Sequence, residues 1–211
     1  MRPIPRIVVA GTHSGCGKTT LASGLMAALA ARGLTVQPFK VGPDFIDPTH
    51  HSAICGRTSR NLDPFMMGEA VVRETFVRAS AGADVAVVEG AMGLYDGLEG
   101  SDTASTAHVA KILDAPVLLV VDAGGASRSV HAMVRGYAGF DPDVRVAGVI
   151  FNRVGSARHL AMIEATQSLP VYGGVPRRKD LAVGSRHLGL AMAAETGVLG
   201  GFGAVVEETC D

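Results

Sequence analysis

Three short stretches concentrate the residue types that handle phosphate and divalent metal. The first is Gly11-Thr12-His13-Ser14-Gly15-Cys16-Gly17-Lys18-Thr19-Thr20, fed by an apolar run and followed at once by a helical pattern. In that setting backbone N–H groups of the loop and of the helix start converge on phosphate oxygens. Lys18 then reaches the β- and γ-phosphates, and the Thr19 hydroxyl is placed to hold Mg²⁺. The spacing departs from the common G-x-x-x-x-G-K-T form. Its first glycine would fall on Thr12, and Gly11 lies one residue earlier, so this loop is one residue longer.

The second stretch, Lys40-Val41-Gly42-Pro43-Asp44-Phe45-Ile46-Asp47-Pro48, sets one lysine and two carboxylates in a loop stiffened by Gly and Pro. Mg²⁺ takes one or two protein carboxylates beside phosphate and water, so Asp44 or Asp47 could complete the shell that Thr19 begins. Asp47 equally suits the start of a helix from Pro48, and the two roles are compatible. Lys40 ends an apolar strand and reads as a cation for the γ-phosphate or for a substrate carboxylate. The third stretch ends a buried strand at Glu89 and continues Gly90-Ala91-Met92-Gly93-Leu94-Tyr95-Asp96-Gly97. An acid at that point holds Mg²⁺ in phosphate-loop enzymes, although a helix cap or a solvated strand end would look the same. Gly90 and Gly93 let backbone approach a ligand, while Asp96 also fits a turn with Gly97. Asn152, followed by Arg153, has an amide that both donates and accepts, as an adenine edge requires, yet asparagine at a strand end is also a common turn former. His50, His51, His108, His131, His159 and His187 lack metal-ligand spacing and read as surface or packed residues, with His50 and His51 on different faces. His13 differs in lying inside the phosphate loop.

The elements that must position these residues alternate along the chain. Strands are expected at 6–10, 35–40, 84–89, 117–122, 145–152 and 171–173, and helices at 18–32, 68–81, 105–113, 127–138 and 157–168. The third to fifth strands are almost continuously aliphatic, as strands buried on both faces are. The expected fold is α/β: a doubly wound, mainly parallel sheet with helices on both faces, of the P-loop type. Its ligands bind beyond the carboxyl ends of the strands, where six of the polar segments converge. With 211 residues, 47% of them apolar and 18% charged, the chain suits one large domain. A net charge of −1 gives no footprint for nucleic acid or an anionic membrane, so anion binding must be local. Three cysteines without C-x-x-C pairing argue against a disulfide framework or a zinc site and fit a reducing cytoplasm. Neither a signal peptide nor a membrane-spanning run is apparent. The tail from Gly197 reads as a linker.

Taken together, these residues resemble the ATP-binding half of the a,c-diamide synthases of corrinoid biosynthesis, within the dethiobiotin-synthetase-like group of P-loop proteins. The resemblance is carried by 11–20, by Gln37 through Pro48, by Ser59-Arg60-Asn61-Leu62-Asp63 and by Glu89 through Gly97. Asn152 through Ser156 and Ser185-Arg186-His187-Leu188-Gly189-Leu190 complete it, in order, between about residues 5 and 195. It implies an ATP-binding domain over 1–195 and a linker over 196–211 toward a glutaminase domain. It also implies ATP and Mg²⁺ as cofactors, acyl-phosphate activation of the a and c acetates of a tetrapyrrole, and ammonia from glutamine. On this resemblance Thr19, Asp47 and Glu89 hold the metal, and Lys18, Lys40 and Asp44 serve the chemistry. Lys40, Asp44, Tyr95 and Asp96 face the substrate, while Asn152, Arg153 and the loop from Pro176 to Asp180 lie at the adenine. Nickel-sirohydrochlorin amidation is a related possibility, toward which Gly100–Lys111 leans, and a homodimer is a further expectation. None of the three cysteines has the setting of a glutaminase nucleophile. Two rivals share the fold. Partitioning-type switch ATPases carry a signature lysine where this chain has His13, and dethiobiotin synthetase fits the 41–48 and 93–97 segments less well.

Overall fold

The computed structural model describes residues 4–166 and 168–177, with Gly203, Val206, Glu208, Thr209 and Cys210 of the C-terminal stretch. The strands are β1 Arg6–Gly11, β2 Val36–Val41, β3 Arg60–Leu62, β4 Val85–Glu89, β5 Val117–Asp122, β6 Val146–Val154 and β7 Val171–Pro176. Between them run α1 Lys18–Ala31, α2 Asp47–Cys55, α3 Pro64–Ala79, α4 Thr106–Leu113, α5 Val130–Phe140 and α6 Ala157–Glu164. The strands form one sheet in the order β3-β2-β4-β1-β5-β6-β7, and every pairing between them is parallel.

The aliphatic runs are continuous because alternate residues serve two cores. Val8, Ala10, Val88, Leu119 and Val121 pack with residues of α3, α4, α5 and α6. Val9, Val87, Leu118 and Val120 face the opposite way, against α1, with Ile54 and Cys55 of α2 at the edge of that layer. The doubly wound expectation therefore holds. β1 lies between β4 and β5, and the chain winds outward from it in both directions, so the loop after β1 opens at the switch point of the sheet.

Two elements are absent from the expected list. β3 is three residues long and pairs with β2 at the sheet edge. Arg60-Asn61-Leu62 carries no apolar run, so its extended form comes from the neighbour rather than from its own pattern. α2 carries the polar sequence Asp-Pro-Thr-His-His-Ser, whose buried side is made of His and Asp and is invisible to an apolar-periodicity test. α3 begins four residues before the expected Gly68, because Asp63 caps an initial turn that Gly68, at φ 76°, breaks from the rest. Of the expected linker, Val206 is buried in the α1-side core and Cys210 makes an antiparallel bridge to Gly173. The expected domain boundary near 195, the loop residues 178–180 and the 185–190 motif lie outside the described residues. Among the described residues no helix is long and apolar enough to cross a membrane.

Candidate nucleotide and metal site

The phosphate loop is held from beneath and from both flanks. A β-carbon on Gly11 would lie 2.2 Å from Cys16 Sγ and 2.9 Å from Lys18 Cγ, so glycine is what lets Cys16 tuck, fully buried, under the loop. Gly17, at φ 107°, turns the chain into α1. From β6, Asn152 Nδ2 donates to Cys16 O at 2.8 Å, and Arg153 Nη2 donates to Gly15 O at 2.7 Å while Nη1 pairs with Asp122. On the other flank the Tyr137 hydroxyl donates to Thr12 O, and the Tyr95 hydroxyl donates to Tyr137 O at 2.6 Å. Lys18 Nζ crosses the loop to donate to His13 O at 3.1 Å, and Thr12 Oγ1 lies 2.9 Å from His13 Nδ1. Burial, with the Lys40 ammonium nearby, pulls the Lys18 pKa below its ordinary value against the opposing pull of Glu89 and Asp47. Ser14 and Gly15 face solvent at the mouth, and Thr20 lies in the first turn of α1.

Below the loop lies an acidic floor built by sheet register. Lys40 of β2 and Glu89 of β4 are direct parallel partners, so two strand ends far apart in sequence present opposite charges to each other. Lys40 Nζ donates to Glu89 Oε1 at 2.8 Å, to Asp47 Oδ2 at 2.6 Å and to Gly90 O at 3.3 Å. Thr19 Oγ1 donates to the same Glu89 Oε1 at 2.6 Å, joining loop to floor. His51 Nε2 stands 2.7 Å from Glu89 Oε2, without hydrogen-bond alignment. Burial works against charge on Glu89, but Lys40 and His51 hold its carboxyl well below the usual range. Burial and the Glu89 charge raise Asp47 instead, against the pull of Lys40. For Lys40, burial opposes the charge and the two carboxylates outweigh it, leaving the pKa raised.

The structure brings together Lys18, Thr19, Lys40, Asp47 and Glu89, with Asp44 at the side. Asp44 Oδ1 accepts from the N–H groups of Ile46 and Asp47 at 2.8 and 3.2 Å, and its Oδ2 is 3.9 Å from Lys40. Asp47 is thus the first residue of α2 rather than its cap, the N-cap being Ile46 without a side-chain cap hydrogen bond, and its carboxylate faces Lys40. Tyr95 is turned onto α5, its ring 5.7 Å from that of Tyr137, and Asp96 Oδ2 accepts from Gly93 N at 2.8 Å in a closed turn. Both brace the loop cluster. Asn152 and Arg153 likewise grip the loop from outside, and Pro176 is exposed at the end of β7 opposite Val154.

Sequence reading missed His51, a fully buried residue. Its signal is the i, i+4 spacing from Asp47, which puts both side chains on one face once α2 is recognised. His131 and His159 are packed residues as expected, their Nε2 atoms 2.8 and 2.6 Å from the Ile163 and Ala126 carbonyls. His187 lies outside the described residues.

The hydroxyl of Thr19 and the carboxylates of Asp47 and Glu89 are hard oxygen donors of the kind Mg²⁺ takes, and Glu89 Oε2 is buried without an aligned partner. Among the described residues no group of three or more His, Cys, Asp and Glu is arranged as a metal cluster. Two carboxylates and a hydroxyl beside a phosphate cradle still fit Mg²⁺, which completes its shell with phosphate and water.

Residues 7–190 match the model of the CobQ/CobB/MinD/ParA nucleotide binding domain. Over 99% of its length the chain is 52% identical to a hydrogenobyrinate a,c-diamide synthase of Streptomyces coelicolor, of which it covers 45%. Over 90% of its length it is 54% identical to a cobyrinate a,c-diamide synthase of Syntrophotalea carbinolica, covering 42%. The chain spans less than half the length of these curated relatives. Among solved structures, the signal recognition particle receptor FtsY of Elizabethkingia anophelis aligns with a TM-score of 0.60 at 20% identity, over 96% of this chain and 66% of that one. A nucleotide-binding protein in complex with ADP from Archaeoglobus fulgidus aligns with a TM-score of 0.55 at 15% identity, over 83% of each chain. Those two likenesses concern the fold alone. The family match runs through the phosphate loop, the acidic floor and the clamp from β6, and by it the chain belongs to the CobQ/CobB/MinD/ParA nucleotide-binding domain family.

Proposed function

We propose that this chain is the ATP-dependent, carboxylate-activating half of an a,c-diamide synthase whose substrate is a tetrapyrrole acid of the cobyrinate or hydrogenobyrinate type. One observation carries the reading: Glu89 Oε1 accepts at once from Thr19 of the phosphate loop and from Lys40 of the neighbouring strand, so the nucleotide and acceptor sides share one carboxylate. The identity of about half the residues to synthases of that name supports the substrate class.

In this reading the loop N–H groups and Lys18 grip the triphosphate, Lys18 exchanging the His13 carbonyl for phosphate oxygen. Thr19, Asp47 and Glu89 would hold Mg²⁺, which when bound neutralises charge on the β- and γ-phosphoryl oxygens. An acetate oxygen of the substrate attacks the γ-phosphorus, and the bond to the β-bridging oxygen breaks to release ADP. Lys40, buried and cationic, lends positive charge where the acetate and the transferred phosphoryl meet. Ammonia then adds to the acyl carbon, phosphate leaves, and a proton passes to solvent, giving the amide. The cysteines of the described residues offer no glutaminase nucleophile. Cys16 is sealed under the loop, burial pushes the Cys55 thiol up to about 12, and Cys210 sits on the β7 edge. Ammonia is therefore expected from a glutaminase domain on a partner or elsewhere in a longer chain, in the cytoplasm, where ATP and reduced thiols are available.

The test incubates this 211-residue polypeptide with ATP, MgCl₂, hydrogenobyrinic or cobyrinic acid and either ammonium chloride or glutamine, and reads product mass. Amide is expected from ammonium, rising with pH as free ammonia increases, and none from glutamine. Lys18→Ala should abolish nucleotide affinity, whereas Glu89→Gln should lower turnover more than affinity. Bound ATP with no amide from ammonium would overturn the proposal.

A further inference from the structure

Four large apolar side chains stand in solvent just past the carboxyl ends of the strands that bear Lys40 and Glu89 and of their edge neighbour. Phe45, Phe65, Met66 and Met92 are 87%, 64%, 71% and 58% exposed. Each lies just past the carboxyl end of β2, β3 or β4. The pairing of Val41 with Leu62 and of Lys40 with Glu89 sets those three strand ends side by side.

The segments that carry them are pinned. Asn61 Nδ2 donates to the Gly42 and Asp44 carbonyls at 2.7 and 2.8 Å, tying the end of β3 to the loop that bears Phe45. Asp63 Oδ1 accepts from the N–H groups of Phe65 and Met66 at 2.9 and 3.1 Å. The break at Gly68 isolates that turn from the rest of α3, so that Met67 packs on the core while its two predecessors remain exposed. Ala91 is fixed through both N–H and C=O to Thr106 Oγ1 at 3.0 Å, and the next residue, Met92, is held at φ 50°. That left-handed conformation is costly for a residue with a β-carbon and persists where the surroundings impose it. Pinned backbone thus presents aromatic and thioether groups to solvent at the carboxyl ends of the strands, where ligands of such sheets bind.

The acceptor carboxylate must enter between Lys40 and the phosphate loop, so the body of the acceptor lies against this rim. Aromatic rings and polarisable, adaptable thioethers suit a broad, flat, conjugated molecule. Resting on the function proposed above, we infer that Phe45, Phe65, Met66 and Met92 form the platform for the tetrapyrrole macrocycle, from which one peripheral acetate reaches inward to Lys40. The four residues then set selectivity for a macrocycle over a short aliphatic acid.

Equilibrium dialysis of hydrogenobyrinic acid against the polypeptide with ADP and Mg²⁺, read by absorbance, tests this. Phe45→Ser and Met92→Ser should each raise the Kd about 3- to 10-fold, and the pair more than about 10-fold, with ADP affinity unchanged as the check on folding. Macrocycle binding by the parent that the variants keep in full would overturn the platform and leave the proposed function standing. A parent that binds ADP but no macrocycle would overturn both. If sedimentation showed that the substitutions dissociate a dimer while macrocycle affinity stayed constant, a second copy would be the occupant and the inference would fail.

Discussion

Replacing Lys40 with Met keeps the length of the side chain and removes its charge from between two buried carboxylates. The Lys40 side chain is 4% exposed, those of Asp47 and Glu89 6% and 0%, and its ammonium lies 2.6 and 2.8 Å from their oxygens. Removing one member of a buried ion cluster costs about 3–5 kcal/mol. The Thr19 hydroxyl and His51 stay on Glu89, which places the expected loss at the lower end, about 3 kcal/mol. For a chain of 211 residues a loss of that size lowers Tm by roughly 6–12 °C at pH 8. The loss should shrink on acidification. Burial and the Glu89 charge already raise Asp47, and Lys40 is what opposes them. Without the lysine the folded variant binds a proton at a higher pH than the unfolded chain, whose aspartates titrate near ~3.9. Its stability therefore rises as pH falls toward that value. In the parent, the raised Lys40 pKa gives a contribution fully present below about 10.4 and lost only as pH climbs through the folded value. The depressed Glu89 contributes above about 4.3 and is lost only as pH falls through its folded value. Both are constant between pH 5 and 8, whereas Asp47, already raised in the parent, is raised further without Lys40. The difference between calorimetric melts of parent and variant over that window therefore reports the Asp47 carboxylate. Equal Tm values at pH 8, or a deficit that widens toward pH 5, would refute the reasoning.

Gly17→Ala should weaken ADP binding about tenfold or more in titration calorimetry, because its β-carbon would lie 2.0 Å from Asn152 Nδ2 and φ is 107°. Gly15→Ala, at φ 80° with no atom within 4 Å of the new carbon, should cost less, and the reverse order would exclude the Asn152 clamp as the reason. Cys55, its thiol raised to about 12 by burial, should resist iodoacetamide at pH 8 until urea unfolds the chain. Because its folded value lies above that of an unfolded cysteine, near ~8.5, its contribution to stability should fall away as pH rises beyond that point. Rapid labelling of folded protein, read by mass, would contradict both.

Features that depend on contiguous residues could be read before any fold was known. The phosphate loop is legible because strand, glycine turn, Lys18 and Thr19 follow one another within a single strand-to-helix unit. The doubly wound sheet is legible because Val85–Val88 and Val117–Val121 are apolar on both faces, which is what two covering layers of helix require. Glu89 and Asp47 could be named as acids at strand and helix ends, but their protonation balance could not, since it depends on Lys40 and His51. Those contacts arise only when distant strands and helices pack together. β2 aligns with β4 in one register, and a shift of one residue would turn Lys40 away from Glu89. α2 exists because His51 and Asp47 find buried partners, not because its sequence is apolar. Asn152, 136 residues from the Cys16 carbonyl it holds, and Tyr137, 125 from Thr12, brace the loop across separations in sequence that no local pattern spans. A loop announces its ligand through its own backbone, but the side chains that fix its shape arrive from strands and helices whose packing no local pattern encodes.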